Sequence, residues 1–287
     1  MPKAKIGVIG GSGLYEMEGL TNVSEVKIKT PFGEPSDTIM VGNLHGVKIA
    51  FLPRHGRGHF INPTDIPVRA NIYALKSLGV EWIISVNAVG SMKENIHPLD
   101  IVIPDQIIDH TKSRVNTFFD RGIVAHPLFA DPFCSTLNEL LYKATKEVGA
   151  KVHRGGTYLV IEGPFFSTRA ESNLYRSWGV DVIGMTVLPE AKLAREAEIC
   201  YASLSCATDY DCWHETEESV TIEMVLNNLK HNVETAKRII GFVAKRIPNN
   251  RNCPCAETLK NAIITDPSQI PAKTKRDLAL LIGKYIQ

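Results

Sequence analysis

The 287-residue sequence has no run approaching the roughly 20 apolar residues of a membrane span. It also lacks an excess of charge of either sign: 32 Lys and Arg stand against 31 Asp and Glu, a formal net charge of +1. Without a basic block or tail, nothing calls for nucleic acid or an anionic membrane as partner. The N-terminal MPKAKIGVIGGSG is broken by glycines and lacks the apolar core and cleavage site of a secretory signal. A cytoplasmic protein is expected. Internal repeats and low-complexity tracts are missing as well. So are two nucleotide fingerprints. Leu14-Tyr15-Glu16 follows Gly11-Ser12-Gly13, so G-x-G-x-x-G is incomplete, and no Gly-Lys-Ser/Thr makes a Walker A loop. A dinucleotide-dependent oxidoreductase is therefore suggested only by the opening strand and its glycines.

Six cysteines are present: Cys134, Cys200, Cys206, Cys212, Cys253 and Cys255. In a reducing cytosol they stay thiols, and Cys134, Cys200 and Cys206 read as small core residues. Cys253-Pro-Cys255 lies in a polar, loop-like segment. Zinc would need a second ligand pair at compatible spacing, and none stands out, so no metal is expected. Disulfides stay open for a hyperthermophile.

Strands and helices alternate along the whole length, which predicts one α/β domain, residues 1–287, with a central mixed sheet flanked by helices. Residues 248–287 form a tail. Strands are predicted at 5–10, 26–29, 39–41, 47–52, 80–86, 101–108 (despite Pro104), 157–161, 182–186 and 199–207. Helices are predicted at 64–78, 133–148, 168–178, 189–197, 219–245 and 278–286.

Chemistry collects where strands end, the usual ligand position in an α/β sheet. Gly10 to Gly13 form a tight turn whose N–H groups, with the Ser12 hydroxyl, can make an anion nest, though a purely structural turn fits too. The loop Pro53-Arg54-His55-Gly56-Arg57-Gly58-His59 suits an anion, because arginine forks match phosphate oxygens and would repel a cation held by His55 and His59. The strand at 80–86 finishes in Asn87-Ala88-Val89-Gly90-Ser91, with backbone donors and the Asn87 amide. The strand at 199–207 runs into Asp209 and Asp211. Side chains at i and i+2 share a strand face, so the two carboxyls are expected to emerge together. Two close acids rarely both ionise, which leaves one as a proton donor beside an acceptor. That pairing matches ring N7 and the 6-amino group of an aminopurine. Taken alone, an Asp-x-Asp pair is more often a solvated turn.

In order and spacing, KIGVIGGSG, TPFGEPSD, RHGRGH, NAVGS, DIVIPDQIID, IEGPFFSTRAES, Met185-Thr186 and ATDYDCW resemble the motifs of the 5′-methylthioadenosine phosphorylases, in the trimeric branch of the purine nucleoside phosphorylase family. The resemblance runs from Lys5 to about Lys245. It implies phosphate held by Ser12, Arg54, His55, Asn87, the Ala88 backbone and Thr186. It places Met185 against the ribose, Phe166 against the base, and Ser167 and Tyr210 beside them. Asp209 and Asp211 would act on the base, Asp209 as the general acid, where relatives handling 6-oxopurines carry Asn at the first position. Ile222 and Val225 would line the methylthio pocket, and His126 would come from a neighbouring subunit of a homotrimer or homohexamer. Each has a plainer rival: core packing for Met185, Phe166, Ile222 and Val225, a loop position for His126, a helix cap for Thr186. The implied reaction is phosphorolysis of 5′-methylthioadenosine to adenine and 5-methylthioribose 1-phosphate, with inorganic phosphate as co-substrate and no cofactor. A broader purine nucleoside phosphorylase acting on adenosine, inosine or guanosine is the alternative, and a non-catalytic nucleoside-binding module a third.

Overall fold

Buried apolar runs give the chain its frame. A computed structural model describes residues 3–214 and 222–286, with all their side chains except those of Ser12, Tyr15, residues 222–226 and Leu229. In chain order the strands are β1 (Ile6–Gly10), β2 (Leu20–Val26), β3 (Ile39–Leu44), β4 (Val47–Pro53), β5 (Trp82–Ser91), β6 (Ile101–Ile103), β7 (Gln106–His110), β8 (Val152–Arg154), β9 (Thr157–Ile161), β10 (Val182–Gly184) and β11 (Cys200–Asp209). The helices are α1 (Val68–Ser77), α2 (Ser135–Glu147), α3 (Arg169–Ser177), α4 (Val187–Glu196), α5 (Ile222–Ala244), α6 (Ala272–Asp277) and α7 (Ala279–Ile282).

The strands join in one mixed sheet, β2-β3-β4-β1-β5-β10-β9-β7, with β11 on β5 and β6 and with β8 on β6. β4, β1, β5 and β11 run parallel, so their C-terminal ends open on the same edge. Both faces of this central part are covered, which is why its strands read as continuous apolar runs. Ile9 and Tyr201 point into a core shared with Ile72 and Leu75 of α1 and with Leu193 of α4. Ile6, Val8, Ala202 and Leu204 point the other way, onto Leu137 and Leu141 of α2 and Ile239 and Val243 of α5. The chain is a single α/β fold with a mixed central sheet flanked by helices.

Several sequence-predicted boundaries move. The strand expected at 26–29 lies earlier, at β2, whose pairing with β3 runs Leu20↔Leu44 to Val26↔Ile39. Its side chains are mostly exposed, so burial leaves little alternation to read. Pro104 has no N–H to donate, and the run at 101–108 splits into β6 and β7. β5 does not stop at Val86 but continues through Asn87 to Ser91 against β11 and β10. The predicted helix at 278–286 is the short α7, with α6 before it.

Candidate active site

Arg54 follows β4 directly, and its guanidinium turns inward under the sheet edge. Nε donates to Glu190 Oε1 at 2.5 Å, Nη2 to Ser85 Oγ at 2.7 Å, and Nη1 to the Val86 carbonyl at 3.0 Å. Arg54 is 3% and Glu190 1% exposed, so this is a fully desolvated ion pair. Burial opposes the charge on Arg54, but the Glu190 carboxylate outweighs it and holds the pKa above the ordinary arginine value. Glu190 Oε2 also accepts from Ser85 Oγ at 2.8 Å and from the Tyr201 hydroxyl at 2.9 Å. One hydrogen of Nη1 remains for an incoming anion. Arg57 instead points outward, to Glu25 and Asp37.

Asn87 continues the network. Its Nδ2 donates to the Ser85 carbonyl at 3.0 Å and to Ser203 Oγ at 2.8 Å, and its Oδ1 accepts from Thr186 Oγ1 at 2.7 Å. The amide expected to donate to an anion is thus already engaged: Asn87 positions Thr186 instead. Thr186 stands at the N-cap of α4 without a side-chain cap bond, so capping is not its role. Ala88 is the exposed residue of β5, whose other residues are buried or half-buried.

His55 Nδ1 lies 2.7 Å from the Ile61 carbonyl, and only an N–H can bond there, so Nε2 carries the lone pair. Burial brings its pKa down to about 4, and Arg54 alongside adds to the shift. The imidazole is neutral at neutral pH. His59 stacks on it with centroids 4.2 Å apart.

At the end of β11 the two aspartates do not continue one strand face, as was expected. A bulge between Ala207 and Asp209 shifts the register, and Asp211 opens a 3-10 turn with φ +51°. The pair is organised by hydrogen bonds instead. Asp209 Oδ1 accepts from the Asp211 backbone N–H at 2.9 Å, and Oδ2 lies 2.7 Å from Thr208 Oγ1. Asp211 Oδ2 accepts from Ser172 Oγ of α3 at 2.6 Å. Burial raises both carboxyls above the ordinary aspartate value, and for Asp211 the charge of Asp209 adds to it. Gly90 makes room for them: a Cβ there would sit 3.0 Å from Asp209 Oδ1 and 3.4 Å from Asp211 Cβ.

Met185 is held by its backbone. Arg114 donates to its carbonyl, to that of Leu188 at 2.6 Å and to that of Glu162, while Glu162 is fixed by Thr64 Oγ1 at 2.7 Å. Phe166 is 69% exposed, which excludes a core role in the single chain. Among the described residues the Ser167 hydroxyl is buried without a partner, and Tyr210 stacks on His214. His126 lies apart, lining a cavity of about 960 Å³ with Leu128, Arg195 and Cys255. The side chains of Ser12, Ile222 and Val225 are outside the described residues.

The sequence-predicted residues that meet are Arg54, Asn87, Ala88 and Thr186 in one group and Asp209 with Asp211 in another, with Gly90 of β5 abutting the second. Glu190, Ser85, Ser203, Tyr201, Ser172 and Arg114 were missed. Serines 85, 203 and 205 inside otherwise apolar strands were a signal, since a fully buried strand with repeated hydroxyls needs a polar network to satisfy them.

A family model described as the phosphorylase superfamily matches residues 5–244. An S-methyl-5′-thioadenosine phosphorylase from Geobacter sulfurreducens is 61% identical over 98% of this chain and 99% of its own. One from Hyperthermus butylicus is 53% identical over 91% of this chain and 96% of its own. Among solved structures, a methylthioadenosine phosphorylase from an antarctic soil metagenomic library superimposes with a TM-score of 0.94, at 49% identity and over 98% of this chain and 99% of that one. The methylthioadenosine phosphorylase of Schistosoma mansoni in complex with adenine gives 0.83 at 34% identity, covering 98% of each chain. The chain belongs to the phosphorylase superfamily and, within it, to the S-methyl-5′-thioadenosine phosphorylases.

Proposed function

We propose that the protein cleaves 5′-methylthioadenosine with inorganic phosphate, giving adenine and 5-methylthioribose 1-phosphate for purine and methionine salvage. The observation that carries the chemistry is the aspartate pair at the end of β11, Asp209 half-buried and Asp211 buried, both carboxyls raised above the ordinary aspartate value by desolvation. Cleaving C1′–N9 passes through an oxocarbenium-like sugar, as in glycoside hydrolysis. Adenine leaves poorly as an anion. Asp209, whose pKa burial raises, gives its proton to N7 as the bond breaks, and Asp211 accepts from the 6-amino group. Phosphate attacks C1′ from the side of Arg54, so the protein needs no nucleophile or cofactor of its own. Holding it there removes encounter entropy that can reach about 7–11 kcal/mol, and its charge steadies the developing cation. Phosphate-dependent release of adenine is the test. Equal release without phosphate indicates a hydrolase, no release a binding module, and faster turnover of inosine than of methylthioadenosine the broader enzyme.

His55 refines the co-substrate. A neutral imidazole whose Nε2 is an acceptor repels a bare oxyanion edge but accepts the remaining proton of hydrogen phosphate. His55→Ala is expected to raise KM for phosphate about 10-fold or more, the value of a hydrogen bond to a charged group. Sulfate, with no proton at neutral pH, should compete weakly. An unchanged KM together with strong sulfate inhibition removes this role.

A homotrimer or homohexamer completes the site, with His126 reaching a neighbouring subunit. Val124, Leu128 and Ile264 are 48%, 86% and 65% exposed beside it, an apolar edge suited to a second copy. Among the described residues no helix is long and apolar enough to cross a membrane. A cytoplasmic location, where the six cysteines would stay reduced, is the one we infer.

A further inference from the structure

Cys253 and Cys255 do have a second pair of partners. The chain brings Cys134, at the N-cap of α2, and Cys200, the first residue of β11, against them. The four Sγ atoms all lie within 4.8 Å of one another, with Cys200 and Cys253 3.2 Å apart. A tetrahedral zinc thiolate with Zn–S of about 2.3 Å has sulfur–sulfur edges of about 3.8 Å, so the cluster is already near the required size. Spacing could not reveal it: the pair at 134 and 200 is supplied by two separate elements, far from the Cys-Pro-Cys turn.

We propose that Cys134, Cys200, Cys253 and Cys255 form a closed tetrathiolate site for a structural Zn²⁺ ion that fastens the C-terminal tail to the domain. Zinc suits the donors, because four soft thiolates in a tetrahedral arrangement select it over the oxygen-seeking Mg²⁺ and Ca²⁺. On binding, the four thiols lose four protons to solvent as four Zn–S bonds form, and no oxidant or reductant takes part. The complex carries two negative charges. The N-terminus of the 13-residue α2 lies at Cys134, where its partial positive charge favours a thiolate. Cys134, Cys200 and Cys255 are buried, whereas Cys253 is half-buried and gives the ion its way in. With all four positions taken by protein, no place is left for substrate or water, which marks the role as structural.

The tail that follows repeats the same attachment. Leu259 N–H donates to Glu198, the residue two before Cys200, at 3.1 Å, and Ala262 accepts from the His126 N–H at 2.8 Å. Ala125 bridges Ile263. The ion therefore pins the segment against which His126 is laid.

The test is metal content of the full chain purified under reducing conditions. About one zinc per chain is expected by elemental mass spectrometry. After removal of the metal, Co²⁺ should restore a tetrahedral thiolate spectrum, with intense sulfur-to-metal charge transfer. The Cys253→Ser/Cys255→Ser variant should lose the metal and melt at lower temperature, whereas Cys212→Ser should keep it. The wild-type measurements do not depend on either variant folding. A metal-free chain that takes up neither Zn²⁺ nor Co²⁺ overturns the proposal. So does a native chain four hydrogens lighter by intact mass, which means two disulfides.

Discussion

Replacing Glu190 with alanine is expected to destabilise the protein by about 3–5 kcal/mol, the usual consequence of stranding one partner of a buried ion pair. The variant leaves the Arg54 guanidinium desolvated without a counter-charge and takes the acceptor from Ser85 Oγ and the Tyr201 hydroxyl together. Denaturant unfolding measures the loss. Glu190→Gln should lie between, since an amide oxygen still accepts but no longer neutralises. The double variant Arg54→Met/Glu190→Leu should recover much of the stability lost in either single change, because apolar groups of similar volume need no partners. Affinity for phosphate should stay lost in all of them, because Arg54 is either absent or no longer held in place. A Glu190→Ala protein within about 1 kcal/mol of the parent, the size expected for an exposed pair, would mean that the pair is solvated.

That ion pair also shows where local sequence stops informing. Glu190 and Ser85 are separated by 105 positions and meet only because α4 packs on β5 and β11. Nothing at either position announces the other. By contrast β9 and α2 were legible to within a residue or two, since a fully buried run or a helical stripe records its own environment. β2 records almost nothing, being an exposed strand at the sheet's edge. Residues at strand ends were recognisable as chemical groups, but their partners were not. Asn87 was readable as a donor near an anion, yet its geometry spends that donor on Ser203 and converts it into a support for Thr186. The two aspartates were expected to come together by strand alternation; a turn with hydrogen bonds to Ser172 and to the Asp211 backbone brings them together instead.

Asp209→Asn is expected to lower turnover of methylthioadenosine by about 10²–10⁴-fold, the range for a general acid, while leaving the fold intact. The amide oxygen can still accept from the Asp211 N–H, and its NH₂ can donate to Thr208 Oγ1, which a hydroxyl tolerates by rotating. Stability should even hold or rise at neutral pH. Asp209 has its pKa raised by burial, so its favourable contribution is complete below the unfolded value of 3.8 and is lost as pH climbs through the folded one. Asparagine never ionises and escapes that loss. The same sign governs catalysis. With phosphate saturating, wild-type kcat/KM should fall as pH rises through the raised pKa of Asp209, because the acid form is the reactive one. In the variant that limb should vanish. Selectivity supplies the separate readout. Asp211 still accepts from a 6-amino group, but the variant has no proton to release to N7, so the advantage of adenine nucleosides over inosine should shrink or reverse. An Asp209→Asn enzyme with the parent's rate, pH profile and preference would place the proton elsewhere, and Asp211, fixed by Ser172 and likewise raised by burial, is the group to which the same substitution would then be applied.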